Sequence, residues 1–201
     1  MKIVRVILIV LLLAVVGVLG LAATKPDHYQ VERSATMSAP PAAVFAQLND
    51  FHHWEAWSPW EKIDPAMTRT FDGPASGKDQ SYAWVGNDKV GEGKMTITAS
   101  EPDTHLGIRL DFIKPWTETC QVDFAVAPEA EGTKVTWGMD GNHTYVSKIF
   151  CVFMDMDKMI GTDFEKGLSQ LKTVTESTPA AAAEPASSEK GASATTASTG
   201  K

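Results

Sequence analysis

Cysteine is scarce in this 201-residue chain: Cys120 and Cys151 are the only two. Two are too few for a disulfide framework, and their surroundings match no metal-ligand spacing, which argues against structural zinc. There is no G-x-S-x-G elbow, no G-x-G-x-x-G after a strand and no P-loop, so nucleotide chemistry and nucleophile-elbow hydrolysis have no support. Positive charge is also short. Lys and Arg number 18 against 25 Asp and Glu, a net charge of −7, and residues 28–175 alone carry 13 against 21. Such a surface repels phosphate backbones, so no nucleic-acid partner is expected. From Glu176 onward the chain lacks both aromatic and branched aliphatic residues. Residues 176–201 therefore have almost nothing to bury and are expected to be a disordered Ala/Ser/Thr-rich tail.

The one long apolar run lies at the other end. Val6 to Ala23 carries no charge and would extend about 27 Å as a helix, close to the hydrocarbon thickness of a bilayer. Because Lys2 and Arg5 precede it, a single-pass membrane anchor is expected, with a cytoplasmic N-terminus and the rest of the chain on the exported, periplasmic or extracellular side. The alternative is a signal peptide cleaved at Gly20-Leu21-Ala22, leaving a secreted protein. Residues 1–27 are thus read as anchor or signal segment. Residues 28–175 are read as one domain, long enough for a single sizeable core.

Within that domain, Tyr29, Val31, Ala35 and Met37 fall on one face of a period-2 pattern, the mark of a half-buried strand. Pro40-Pro41 opens a short helix through Val44, Phe45 and Leu48. A second short helical segment is expected over Phe51 to Trp57, closed by Ser58-Pro59. Strand-like runs follow at Met67–Phe71, Gln80–Val85, Val90–Ser100, His105–Ile113, Glu118–Ala127 and Lys134–Asp140. Their connections are too short for parallel crossovers, so the sheet must be antiparallel. From Val146 to Val174 the period changes: Ile149, Val152, Phe153, Met156, Ile160, Phe164, Leu168 and Leu171 recur at three and four, which predicts one long amphipathic helix. Gly161 is expected to weaken or bend it by about 1 kcal/mol relative to alanine.

The order of elements, together with Ala39-Pro40-Pro41-Ala42-Ala43-Val44-Phe45, Asn49-Asp50-Phe51 and Trp54-Glu55-Ala56-Trp57-Ser58-Pro59-Trp60, resembles the SRPBCC superfamily. That group holds START lipid-binding domains, birch-pollen-allergen-like proteins and polyketide cyclase/dehydrase-like proteins. The resemblance covers about residues 28–173. It implies an α+β helix-grip fold, in which a curved antiparallel sheet of six or seven strands wraps a long C-terminal helix, with two short helices after the first strand. It also implies binding of an apolar or amphipathic small molecule such as a lipid or polyketide.

The expected site is a hollow between sheet and final helix. Trp54, Trp57 and Trp60 recur every third residue and offer apolar area with N–H tips. Tyr82, Trp84, Met95, Leu110 and Phe112 are expected to line the sheet side, joined by Phe124, Trp137 and Met139. Phe153 and Met156 would face them from the helix. Gly91 and Gly93 share the parity of Met95, which would leave space at that end of the strand. A cyclase or dehydratase would need a buried acid–base group; the weak candidates are Glu61 and Tyr82. Neither a cofactor nor a metal is expected. A protein partner in the cell envelope, docked near Trp60 and Glu61, is the third reading.

Overall fold

The computed structural model describes residues 2–177. The expected C-terminal tail lies almost wholly outside them. The apolar run forms helix α1 (Lys2–Ala23), long and apolar enough to cross a membrane. After it come β1 (His28–Met37), α2 (Pro41–Leu48) and a single 3-10 helix (Phe51–Ala56). Pro41 starts α2, where its missing N–H is no loss. The Asp50 side chain caps the 3-10 helix by accepting from the His52 N–H. The buried Gln80 fixes that helix to the sheet, accepting from Phe51 N at 2.9 Å and donating to Asp50 Oδ1 at 2.9 Å.

Six further strands follow: β2 (Thr68–Asp72), β3 (Ser81–Val85), β4 (Glu92–Glu101), β5 (His105–Lys114), β6 (Glu118–Glu129) and β7 (Gly132–Asn142). Together with β1 they form one antiparallel sheet in the order β1-β7-β6-β5-β4-β3-β2. Short connections make each strand from β2 to β7 pair with the next, while β1 pairs with β7 and so closes the opposite edge. Gly132 stands at φ +132°, where a Cβ would collide with the Met37 carbonyl; the tight β6–β7 turn thus needs glycine.

The C-terminal segment is two helices, not the single one its periodicity predicts: α3 (Tyr145–Phe153) and α4 (Met156–Ser177). Met154 is extended at φ −127° and ψ 140°. The Asp155 carboxylate accepts the Lys158 N–H at 3.1 Å, restarting the helix as a cap does. Apolar spacing continues across this break, so periodicity alone reads through it. Helix α4 also runs unbroken through Gly161, contrary to the expected weak point. There the missing side chain admits the Arg33 guanidinium, which pairs with Asp157 at 2.9 Å and Glu165 at 3.0 Å.

Helix α4 packs along β1, with α2 and the 3-10 helix against it. Beneath them lies an interlocked aromatic core. Trp137 stacks on Phe164 of α4 at 4.2 Å and 8°, and Trp57 meets Trp137 edge-on at 5.7 Å and Phe124 at 6.2 Å. Trp54 closes the cluster against Trp57 at 4.6 Å. Such pairs contribute about 0.5–1.5 kcal/mol each beyond their burial. Close approach of α4 is possible because Gly167 faces the Trp137 ring, whose Cζ3 would lie 2.6 Å from an added Cβ. The hollow expected here is therefore corrected: aromatic side chains occupy the space between α4 and the sheet.

Candidate functional site

The residues expected to line that hollow separate into three groups. Trp54, Trp57, Phe124 and Trp137 are fully buried core. The indole N–H groups of Trp54 and Trp57 are spent on backbone carbonyls of Leu48 and Gln47, at 3.0 and 3.2 Å, so neither is free for a ligand. Trp137 differs: its Nε1 is a buried donor with no partner among the described residues. Trp60 is half-buried, edge-on to Trp137 and Phe164 at 5.7 and 6.3 Å. Phe153, expected to face the sheet, is 72% exposed on α3 because the break at Met154 turns that helix away. Met156, at the start of α4, is half-buried.

The second group surrounds Glu61 and Tyr82. Glu61 follows Trp60 in a turn and is buried. Its Oε1 accepts from Tyr82 Oη at 2.6 Å and its Oε2 from Arg69 Nε at 2.7 Å. Arg69 Nη2 also donates to the Glu61 carbonyl at 3.1 Å. Burial, followed by the adjacent Glu61 carboxylate, raises the Tyr82 phenol above its ordinary value, so it remains a proton donor. The hydrogen bond to Glu61 likewise keeps Arg69 charged. A cleft of about 140 Å³ lies here, lined by Phe51, His52, Glu55, Phe71 and the triad itself. Ligand pockets for drug-sized molecules run to about 300–1,000 Å³. This cleft is too small for a polyketide, and the carboxylate at its base is already committed to two donors.

The third group is a partly covered stretch of the sheet's inward face. Trp84 is register-paired with Gly93, Gly93 with Phe112, and Phe112 with Glu118; Met95 pairs with Leu110, and Leu110 with Cys120. Trp84 lies over Gly93, so the space expected at that glycine is occupied by its indole. Beyond it, Met95, Leu110 and Phe112 are only half-buried although they point inward from the middle of the sheet. Helix α4 lies along β1, three strands from β5 and four from β4, with β7 and β6 between, and so leaves them uncovered. Their half-burial leaves an apolar strip, or trough, partly open on the inward face, whereas Met139 on β7 is buried.

Polar groups outside the expected lining stand at the end of this trough. Tyr29 crosses the bare Gly141 and donates to Glu118 Oε1 at 3.0 Å, with Cys120 Sγ at 3.1 Å. The His143 ring lies 4.7 Å from the Tyr29 ring, and Cys151 Sγ is 3.8 Å from His143 Nε2. Burial raises the Tyr29 phenol, pushes the Cys120 thiol up to about 12, and lowers His143. At neutral pH the cluster is thus a phenol, a thiol and a neutral imidazole beside Glu118: hydrogen-bonding groups without a ready nucleophile. Glu118 shares the strand parity of Cys120 and Val122, and an acidic residue on an apolar face was the available signal. Among the described residues no group of three or more His, Cys, Asp or Glu side chains could hold a metal. A groove of about 250 Å³ on the outer face, lined by Glu32, Gln121, Asp123 and Asp140, is polar and shallow, and two of its carboxylates are paired with histidines.

A family model described as polyketide cyclase / dehydrase and lipid transport matches residues 28–176. Among solved structures, a protein of Chromobacterium violaceum is 13% identical, over 76% of this chain and 99% of its own, with a TM-score of 0.53. An uncharacterised protein of Rhizobium leguminosarum is 14% identical, over 75% and 95%, at 0.55. The Aha1 dimer of Colwellia psychrerythraea is 15% identical, over 74% and 96%, at 0.54. At such identities the likeness concerns the fold. No curated protein matches the sequence.

Proposed function

Because this chain belongs to the polyketide cyclase/dehydrase and lipid transport family of the SRPBCC superfamily, we propose that its domain binds an amphipathic small molecule in the open trough rather than beneath α4. The observation that carries this reading is the half-burial of Met95, Leu110 and Phe112, inward-facing residues in the middle of a seven-stranded sheet. Covering them with ligand hydrocarbon would contribute about 25 cal/mol per Å². Tyr29, Glu118 and His143 would orient a polar head at the trough's end. Helix α1 would tether the domain on the exported side of a membrane.

One observation favours cyclase or dehydratase chemistry as a second reading: His143, kept neutral by burial, is a proton acceptor near the trough. Binding is tested first. Full-length protein, extracted from its membrane in mild detergent and examined by native mass spectrometry, should carry a lipid-like mass that Leu110→Arg abolishes while circular dichroism stays unchanged. An adduct retained by that variant, or none in the parent, overturns the reading and leaves the filled interior as a scaffold for protein contacts.

A further inference from the structure

Outside α1, large apolar side chains are exposed mainly at one end of the domain. Trp116, in the β5–β6 turn, is 60% exposed and Ile113 beside it 52%. On α3, Tyr145, Val146 and Phe150 are between 43% and 60% exposed, and Phe153 is 72% exposed. Trp116 and Phe150 meet at 5.6 Å, so the turn and the helix form one surface. Soluble domains rarely carry a contiguous apolar patch of this kind without a partner.

Helix α1 supplies the identity of that partner. It packs directly against α3, and Tyr145 Oη donates to the Leu19 carbonyl at 2.9 Å. Ala22, one turn on, is completely buried. Lys148 pairs with Asp27 in the linker and, being itself buried, fixes α3 against the end of α1. Leu19 lies four residues before the end of the span, about 6 Å along the helix axis. A helix of 22 residues is about 33 Å long, matched to a hydrocarbon core of about 30 Å. Once α1 crosses a bilayer, a side chain bonded at Leu19 cannot stay in water: α3 is drawn to the depth of the headgroup and acyl boundary. Tryptophan, tyrosine and phenylalanine are the residues that settle there.

We infer that α3 and the Trp116 turn form a second membrane contact, lying in the interface of the same bilayer that α1 crosses. This rests on α1 being retained as a span. It deepens the ligand-binding reading, because the trough's end at Phe112, Glu118 and Tyr29 is continuous with the Trp116 turn and so faces the lipid. An amphipathic molecule would pass between bilayer and trough without crossing open water.

The tryptophans make the contact measurable. Trp54, Trp57, Trp84 and Trp137 are buried, Trp60 is half-buried, Trp116 is exposed, and α1 contains none. Full-length protein is reconstituted in phosphatidylcholine vesicles with and without brominated acyl chains, which quench tryptophan on contact. Emission should fall with the brominated lipid, and Trp116→Phe should abolish that loss while the protein stays resistant to carbonate extraction. Phe153→Asp should reduce it. Equal quenching in parent and Trp116→Phe, or none in carbonate-resistant protein, overturns the proposal. Crosslinking between copies of Trp116→Cys, without bromide quenching in the parent, assigns the patch to a second copy and overturns it too. Ligand retention is read separately by native mass spectrometry, so a lost adduct with quenching intact removes the binding reading alone.

Discussion

Tyr82 Oη lies 2.6 Å from Glu61 Oε1, joining a turn residue to the inward face of β3 while Arg69 holds the other carboxylate oxygen. A hydroxyl, a carboxylate and a guanidinium satisfy one another in the lining of a small cleft, which suits a clamp on the 58–67 segment. Tyr82→Phe should leave Glu61 short of one donor, and a buried acceptor left unmade costs about 1–3 kcal/mol. For a domain of this size that is a fall of about 2–4 °C in Tm for each kcal/mol, read by thermal circular dichroism in detergent. Glu61→Gln should cost at least as much, since Arg69 then loses its charged partner. An unchanged Tm in both variants would refute the clamp.

Gly167→Ala tests the close packing of α4. Helix propensity alone favours alanine by about 1 kcal/mol. The Trp137 ring and Pro59 Cδ, at 2.6 and 3.2 Å from the new Cβ, oppose it, and overpacking of a rigid core costs about 1–3 kcal/mol. The expected result is a lower Tm; a higher one would mean that α4 stands further from the sheet.

Asp155→Ala tests the break between α3 and α4. Losing the bond to Lys158 N removes a cap, for a cost of about 0.5–2 kcal/mol. Tm should fall without a gain in helical ellipticity. A rise in helicity at constant Tm would show that the two helices prefer to fuse.

Acidification should act on His143. Burial, the larger influence, and Lys148 lower its folded-state value, Glu118 opposes them, and Tyr29 and Cys151 are its uncharged neighbours. A histidine with a depressed folded value binds its proton more readily when unfolded. Its contribution is therefore complete above about pH 6.5 and is lost as pH falls from there toward the folded value. The Tm difference between the parent and His143→Gln should shrink from pH 7.5 to pH 5.5. A constant difference would place His143 in water.

The strands were legible because each alternates apolar and polar residues: Val31 and Met37 on β1, or Cys120, Val122, Phe124 and Val126 on β6, are buried in strict alternation. Periodicity also identified the buried stripe of α4 at Phe164, Leu168 and Leu171. It missed the stop at Met154, because a single capping aspartate changes the backbone without changing the apolar spacing. Phe153 was misplaced for the same reason. The filled interior had no sequence signal, since whether Trp137 meets Phe164 or a ligand depends on the helix-to-sheet distance, and that is set by Gly167. Glu61 sits in a turn without periodicity, so its burial follows only from partners eight and twenty-one residues away.

The sheet order constrains how the chain reaches this state. Strand β1 occupies an edge, and His28 to Met37 finds its partners at Asn142 to Thr133. During synthesis the first strand therefore waits, unpaired, until about a hundred further residues have been made. Its row of open N–H and C=O groups stays available to other chains for that whole interval. The other six strands each pair with a neighbour in sequence and need no such wait, so a folding helper would gain most by shielding residues 28–37.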